Sequence, residues 1–271
     1  MWRSFEIASC ERTGKPKMKI LPFLAVIFLM PFNTTDAAPS TKLLEPEVSK
    51  LPIHAMESIK SGANIIAIVG GKGLRNSQGQ SKNYLVRQRE IFFASSLNFY
   101  LLPNPSKNKK AGYSFRNSAK NMERIKKLVQ TIKNRNSLPI FIIGFSRGAV
   151  DAGAYGKKYP KTIAGIVLAS GIYNNSSKKA EYYSMENVIG SKIEVPILIV
   201  HHKKDQCHVT NFRDADLFFK MLKAPRKKIM SFSDGDPSGR KCGPLHHHGF
   251  EGIESDVAIR ISNWILTVRG D

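Results

Sequence analysis

A serine placed between a buried strand and a helix is the feature that most constrains the fold of this chain. Residues 140–143 form a continuous apolar run that leads directly into Gly-Phe-Ser-Arg-Gly at 144–148, and residues 149–159 have a helical pattern. A G-x-S-x-G sequence in this strand–turn–helix context holds its serine on a strained turn, with the hydroxyl pointing out of the sheet. Glycines on either side avoid collisions with the neighbouring backbone. The pattern predicts Ser146 as a nucleophile.

Strand and helix patterns alternate along the rest of the chain. The strand patterns are short runs of apolar, mostly β-branched residues without polar alternation, which is typical of strands buried on both faces. The predicted strands are 64–69, 97–102, 140–143, 163–169, 197–200 and 228–232, and the predicted helices include 117–133, 149–159, 212–222 and 257–266. Such alternation predicts an α/β fold with a mostly parallel central sheet and helices on both faces.

The first 38 residues differ from the rest. Residues 20–32 are apolar, follow Lys15, Lys17 and Lys19, and precede the small residues that end at Ala38. A helix that spans a bilayer needs about 20 apolar residues, so this run is too short. The pattern is that of a signal peptide. We therefore expect an N-terminal extension and signal peptide over 1–38 and a secreted or periplasmic protein that is not an integral membrane protein.

Residues 39–271 are expected to form one domain. They contain no internal repeat or linker, and the segment 171–194 is polar and short, which predicts little or no lid domain. Without the leader the chain has 37 basic and 18 acidic residues, a net charge near +19. Such a charge predicts unspecific attraction to anionic polymers or lipid surfaces, but no specific recognition of nucleic acid.

A nucleophilic serine needs a base and an acid that orients the base. Asp205 follows the predicted strand 197–200, and His246, His247 and His248 lie ahead of the last predicted helix. The chain order Ser, Asp, His is that of the α/β-hydrolase fold. All of these residues lie beyond strand ends, where open parallel sheets bind ligands.

At these residues the sequence resembles the α/β-hydrolase superfamily, and more narrowly a set of exported bacterial serine hydrolases and esterases of unassigned substrate. The resemblance covers nearly all of 39–271. It is carried by 68–73, 83–89, 144–148, 205–207 and 242–254. It implies the α/β-hydrolase fold.

The resemblance also implies roles for individual residues. It makes Ser146 the nucleophile, Asp205 the acid and His248 the base, because His248 directly precedes Gly-Phe. His247 remains the alternative base, since three histidines are consecutive. An oxyanion hole is implied from the backbone N–H of Arg147 and an N–H in the Gly71–Lys72 region.

Cysteine and histidine usage bears on redox state and metal binding. Cys10 falls in the predicted leader, which leaves Cys207 and Cys242. In an exported protein, an even pair beside the acid and base segments predicts a disulfide bond. The histidine clusters lack HExxH or a similar ligand spacing, so neither a metal nor another cofactor is predicted.

Together these features predict a serine hydrolase, most simply a carboxylic ester hydrolase that forms an acyl-enzyme on a small-molecule ester. The alternative is a non-catalytic basic binding protein of the same fold that associates with anionic envelope polymers. The presence of all three of Ser146, Asp205 and His248 favours the enzyme.

Overall fold

A mostly parallel sheet lies at the centre of the chain. The computed structural model describes residues 42–44, 48–174 and 182–269. Within these residues the strands are β1 (Lys42–Leu44), β2 (Ile53–Met56), β3 (Ala63–Ile68), β4 (Leu97–Leu101), β5 (Ile140–Phe145), β6 (Gly165–Ala169), β7 (Ile197–His202) and β8 (Lys227–Phe232). Their order in the sheet is β1-β2-β4-β3-β5-β6-β7-β8, and only the pairs β1–β2 and β2–β4 are antiparallel.

The predicted sheet is confirmed. The six predicted strands correspond to β3 to β8, with ends that differ by one or two residues. β1 and β2, which add the antiparallel edge, were not predicted. The predicted signal peptide over 1–38 lies outside the described residues, as do residues 175–181 of the segment in which little or no lid was expected.

Helices connect the strands and cover the sheet. They are α1 (Tyr84–Arg87), α2 (Arg89–Ala94), α3 (Tyr113–Arg116), α4 (Ala119–Lys133), α5 (Arg147–Lys158), α6 (Met185–Val188), α7 (Phe212–Met221) and α8 (Glu254–Val268). Side-chain caps fix several of their first turns: Asn83 starts α1, Ser118 starts α4 and Asn211 starts α7, each by accepting a bond from a backbone N–H.

Two apolar clusters, one on each face of the sheet, form the core. Ile142 of β5 packs with residues of α4 and α5, whereas its neighbours Phe141 and Ile143 pack with residues of α2 and α8. This division follows from the alternation of side chains along a strand. It explains why the strands show unbroken apolar runs: both of their faces are buried.

The carboxyl ends of β3, β5, β6 and β7 lie at one edge of the sheet because these strands are parallel. The loops that follow β3, β5 and β7 carry Gly71, Ser146 and Asp205, and the segment between β8 and α8 carries His248. Elements far apart in sequence therefore meet at this edge. Among the described residues, no helix is both long enough and apolar enough to cross a membrane.

Candidate active site

Ser146 occupies a sharp turn between β5 and α5. Its backbone has φ 55° and ψ −119°, a strained conformation for a residue with a side chain. The flanking glycines are needed for close approach. A Cβ at Gly144 would lie 2.1 Å from the carbonyl oxygen of Gly148, and a Cβ at Gly148 would lie 2.0 Å from that of Ile68. Larger residues would displace the backbone that holds Ser146.

The loop after β3 lies against this turn. A Cβ on Gly70 would lie 2.7 Å from the Cβ of Ser146, and Gly71 has a positive φ of 58°. Gly71, Lys72 and Arg147 line the same cavity as Ser146. Arg147 is the first residue of α5. Backbone N–H groups in the first turn of a helix have no partner within the helix and form the positive end of the helix dipole. The predicted oxyanion-hole residues are thus brought together, although their role stays a prediction.

Asp205 and His248 are hydrogen-bonded to each other. His248 Nδ1 lies 2.9 Å from Asp205 Oδ2, and both side chains are buried. With Nδ1 turned to the carboxylate, Nε2 is the ring nitrogen left for proton transfer. His248 and Ser146 both line one cavity of about 410 Å³. The three residues predicted as a triad therefore meet at one site.

Three further groups hold the carboxylate of Asp205. Thr210 Oγ1 donates to Oδ2 at 3.0 Å, and Cys207 N donates to Oδ1 at 2.9 Å. His201 Nε2 lies 3.4 Å from Oδ2 and 2.6 Å from the Thr210 carbonyl oxygen, which is its closer partner. Burial acts to raise the pKa of Asp205, but hydrogen bonds with His201 and His248 outweigh it and lower this pKa well below its usual range. The carboxylate is therefore ionised at any pH near neutral.

The other consecutive histidines have different surroundings. The His247 ring stacks on His202, with centroids 4.3 Å apart and planes 8° from parallel, and its Nδ1 lies 3.2 Å from the carbonyl oxygen of Lys204. His246 packs edge-on against His247. Of the three consecutive histidines, His248 is the one hydrogen-bonded to Asp205. The geometry thus favours His248 over His247 as the base.

Close backbone packing and contacts with distant parts of the chain hold the segment around His248. Ser170, which follows β6, donates its hydroxyl to the His248 carbonyl at 2.8 Å. A Cβ on Gly249 would lie 1.9 Å from the carbonyl oxygen of Pro244. Phe250 is fully buried and packs against Tyr84, with ring centroids 5.1 Å apart. These contacts explain why Gly and Phe follow the histidine.

A disulfide bond joins Cys207 to Cys242, with an S–S distance of 2.08 Å. It links the loop that carries Asp205 to the segment that leads to His248, and both cysteines line the cavity. Cys207, His208 and Cys242 are near enough to one another to hold a metal ion. Because the two sulfur atoms are bonded to each other, this group offers no thiolate ligands.

A buried polar network, which the sequence did not reveal, lies beside the turn that carries Ser146. The Arg116 guanidinium pairs with Asp151 of α5 and donates to the carbonyl oxygen of Val69 at 2.8 Å. The Tyr183 hydroxyl lies 2.5 Å from the Arg147 carbonyl oxygen and 2.9 Å from Asp151 Oδ1. The network ties the end of β3 to the first turns of α5, and so joins the predicted oxyanion loop to the serine.

Comparisons with known proteins agree with this architecture. Residues 104–234, which contain Ser146 and Asp205 but not His248, match the model of a family described as phospholipase/carboxylesterase. No curated protein sequence shows significant similarity to the chain.

Solved structures are similar over most of the chain. An esterase from Pyrococcus furiosus is 15% identical, with a TM-score of 0.62 over 86% of this chain and 92% of its own. A dienelactone hydrolase from Anabaena variabilis is 12% identical, with a TM-score of 0.60 over 85% of this chain and 99% of its own. An alpha-beta serine hydrolase homologue from Coxiella burnetii is 15% identical, with a TM-score of 0.56 over 84% of this chain and 96% of its own. The chain therefore has the α/β-hydrolase fold, which its sequence resemblance predicts.

Proposed function

We propose that this protein is a serine hydrolase that cleaves a carboxylic ester through an acyl-enzyme. The observation that carries the proposal is the hydrogen bond between Asp205 and His248 beside a cavity that also holds the strained Ser146. The match of residues 104–234 to the phospholipase/carboxylesterase family supports the ester as the bond cleaved.

The proposed reaction has two halves. Ser146 Oγ attacks the ester carbonyl while His248 Nε2 takes its proton, and the N–H of Arg147 with one from the Gly71–Lys72 region stabilises the oxyanion. The tetrahedral intermediate collapses, and His248 returns the proton to the departing alcohol. Water then attacks the acyl-enzyme by the same route, which releases the acid and restores Ser146.

Asp205 acts through His248. Its carboxylate, kept ionised by hydrogen bonds, holds the imidazole tautomer with Nδ1–H and stabilises the imidazolium that forms when Ser146 loses its proton. Thr210 and the Cys207 amide fix the carboxylate in that position. No cofactor is needed for these steps.

Export is part of the proposal. The signal pattern over 1–38 and the disulfide between Cys207 and Cys242 both support a secreted or periplasmic enzyme, because disulfides persist in oxidising compartments. The basic surface would allow unspecific attachment to anionic envelope polymers or lipid, with the small-molecule ester as the substrate.

Replacement of the serine tests the proposal. Ser146→Ala should abolish fluorophosphonate labelling and lower kcat on p-nitrophenyl esters of graded length by about 10⁴-fold or more, as for other triad members. Ser137→Ala, at an exposed serine ahead of β5, is the matched control and should leave both readouts unchanged. Persistent labelling of Ser146→Ala would contradict the assignment of Ser146 as the nucleophile. No activity and no labelling of the wild type would contradict the enzyme and favour a binding protein.

A further inference from the structure

The wall of the active-site cavity is positively charged. Its lining includes Lys72, Lys82 and Arg147. Among the described residues that line it there is no aspartate and no glutamate, and the carboxylate of Asp205 is buried behind His248. Three cations on one concave surface focus a positive potential on the space beside Ser146.

The side chain of Arg147 is held in place without being neutralised. Its guanidinium carbon lies 4.1 Å from the ring centroid of Tyr113. Its Nη1 lies 3.5 Å from the Gly71 carbonyl oxygen, longer than an ordinary hydrogen bond. Within the described residues it forms no ion pair with a carboxylate. A cation–π contact orients an arginine but leaves its planar donors free for an anion.

The ring beneath Arg147 is itself fixed. Tyr113 packs edge-on against Tyr183, with centroids 5.2 Å apart, and the Tyr183 hydroxyl lies 2.5 Å from the Arg147 carbonyl oxygen. Both the backbone and the side chain of Arg147 are thus positioned through Tyr183. A guanidinium placed in advance loses little conformational entropy when it binds a ligand.

Several other arginines of the described residues pair with carboxylates. Arg87 pairs with Glu254 at 2.5 Å, and Arg116 pairs with Asp151. Arg135 pairs with Glu57 at 2.6 Å. Arg147 has no such partner among the described residues, and it is the arginine of that part of the chain that lines the cavity, next to Ser146. Its place on the cavity wall suggests that its partner is a ligand.

We infer that the ester substrate carries an anionic group, a carboxylate or a phosphate, which Arg147 binds with Lys72 and Lys82; this inference rests on the proposed ester hydrolysis. Guanidinium binds either group through two parallel N–H···O bonds. Such a contact would orient the substrate so that its carbonyl faces Ser146.

Matched pairs of esters test the inference. The first pair is p-nitrophenyl pentanoate and the mono-p-nitrophenyl ester of glutaric acid, which differ by a carboxylate in place of the terminal methyl of the acyl chain. The second is phenyl butyrate and 4-(butyryloxy)phenyl phosphate, which place a phosphate on the alcohol. We expect kcat/KM for the charged member of at least one pair to exceed that for the neutral member by about tenfold, the effect of one charge-assisted contact. The pair that shows the preference identifies the group.

Variants assign the preference to residues. Arg147→Gln should lower the ratio of charged to neutral kcat/KM by about tenfold, and Lys72→Gln and Lys82→Gln by smaller factors. The ratio cancels changes in the Arg147 amide that affect both esters alike. Lys133→Gln, at an exposed lysine of α4 outside the cavity, removes the same charge and should leave the ratio unchanged.

The outcomes separate this inference from the proposed function. If the wild type hydrolyses neutral and charged esters equally well and Ser146→Ala hydrolyses neither, the anionic substrate is contradicted while the proposed esterase activity is supported. If no ester is hydrolysed, binding of the mono-p-nitrophenyl ester of glutaric acid, measured by calorimetry, tests the inference instead. Binding that Arg147→Gln weakens supports an anionic ligand, and no binding overturns it.

Discussion

The backbone of Ser146 shows how a local requirement becomes visible in sequence. A residue with a side chain keeps a strained backbone conformation only where its surroundings hold it there. At Ser146, Gly144 and Gly148 permit the close backbone approach that does so. Because these residues are adjacent in the chain, the sequence predicts the turn. The roles of Thr210 and His201 could not be predicted in this way. Their contacts with Asp205 depend on how residues 203–211 fold, and nothing in the sequence marks them.

The consecutive histidines yield a residue-scale prediction. His248→Ala should lower kcat as severely as Ser146→Ala, by about 10⁴-fold, because it removes the base. His247→Ala should retain activity in the folded protein, since the His247 ring contacts His202 and the Lys204 carbonyl rather than Asp205. Its lost stacking should instead lower stability. Esterase kinetics and thermal unfolding of both variants are the measurements.

His246→Ala is the matched control, because this histidine packs against His247 and should change kcat only slightly. An inactive His247→Ala beside an active His248→Ala would show that the base is one residue earlier. The triad proposal would then stand with a different histidine.

At the scale of elements, the strands of the parallel core were predictable and the edge of the sheet was not. β3 and β5 are buried on both faces and therefore appear as unbroken apolar runs. β2 has four residues, includes His54, and pairs with β4 at the antiparallel edge. Elements this short depend on tertiary contacts more than on their own sequence, so no local pattern identifies them.

The network that joins β3 to α5 was hidden for a related reason. Arg116 and Asp151 are 35 residues apart; Arg116 ends the four-residue helix α3, and Asp151 lies within α5. A buried pair cannot be told from a solvated one until the elements are packed. The sequence could therefore predict which residues meet at the candidate site, but not the groups that hold them.

The disulfide allows a prediction about two loops. Cys207 and Cys242 close a loop of about 36 residues, which the chain-entropy model values at roughly 3–4 kcal/mol. The Cys207→Ser/Cys242→Ser double variant should lose about that much free energy of unfolding. Its kcat should also fall, because the Cys207 amide fixes Asp205. Chemical denaturation and esterase kinetics measure both effects.

Dithiothreitol supplies the control. It should destabilise the wild type by a similar amount and leave the double variant unchanged. Mass spectrometry of alkylated, non-reduced protein reads the bond directly. Two free thiols at Cys207 and Cys242 would contradict it.

The whole molecule is distinguished by its charge. The chain has 42 lysines and arginines against 21 acidic residues, a net charge of +21 that falls to near +19 without residues 1–38. Such an imbalance produces a positive electrostatic potential of several kT per unit charge at the surface. Because the charge is spread over many residues, it should hold the protein on any anionic surface without selecting one. The cavity cations, in contrast, act on one bound group.

Salt separates these two effects. Retention on anionic lipid vesicles should fall steeply as NaCl is raised from about 20 to 500 mM, because exposed charges beyond about 8–10 Å are screened near physiological ionic strength. kcat/KM for a neutral ester should change little, since Asp205 and His248 are buried and no substrate charge is involved. kcat/KM for an anionic ester should fall, but less steeply than retention does, because a direct contact with Arg147 is less screened than the surface field. Retention that does not respond to salt would refute the electrostatic explanation. A parallel fall for neutral and anionic esters would show that salt acts on the catalytic groups themselves.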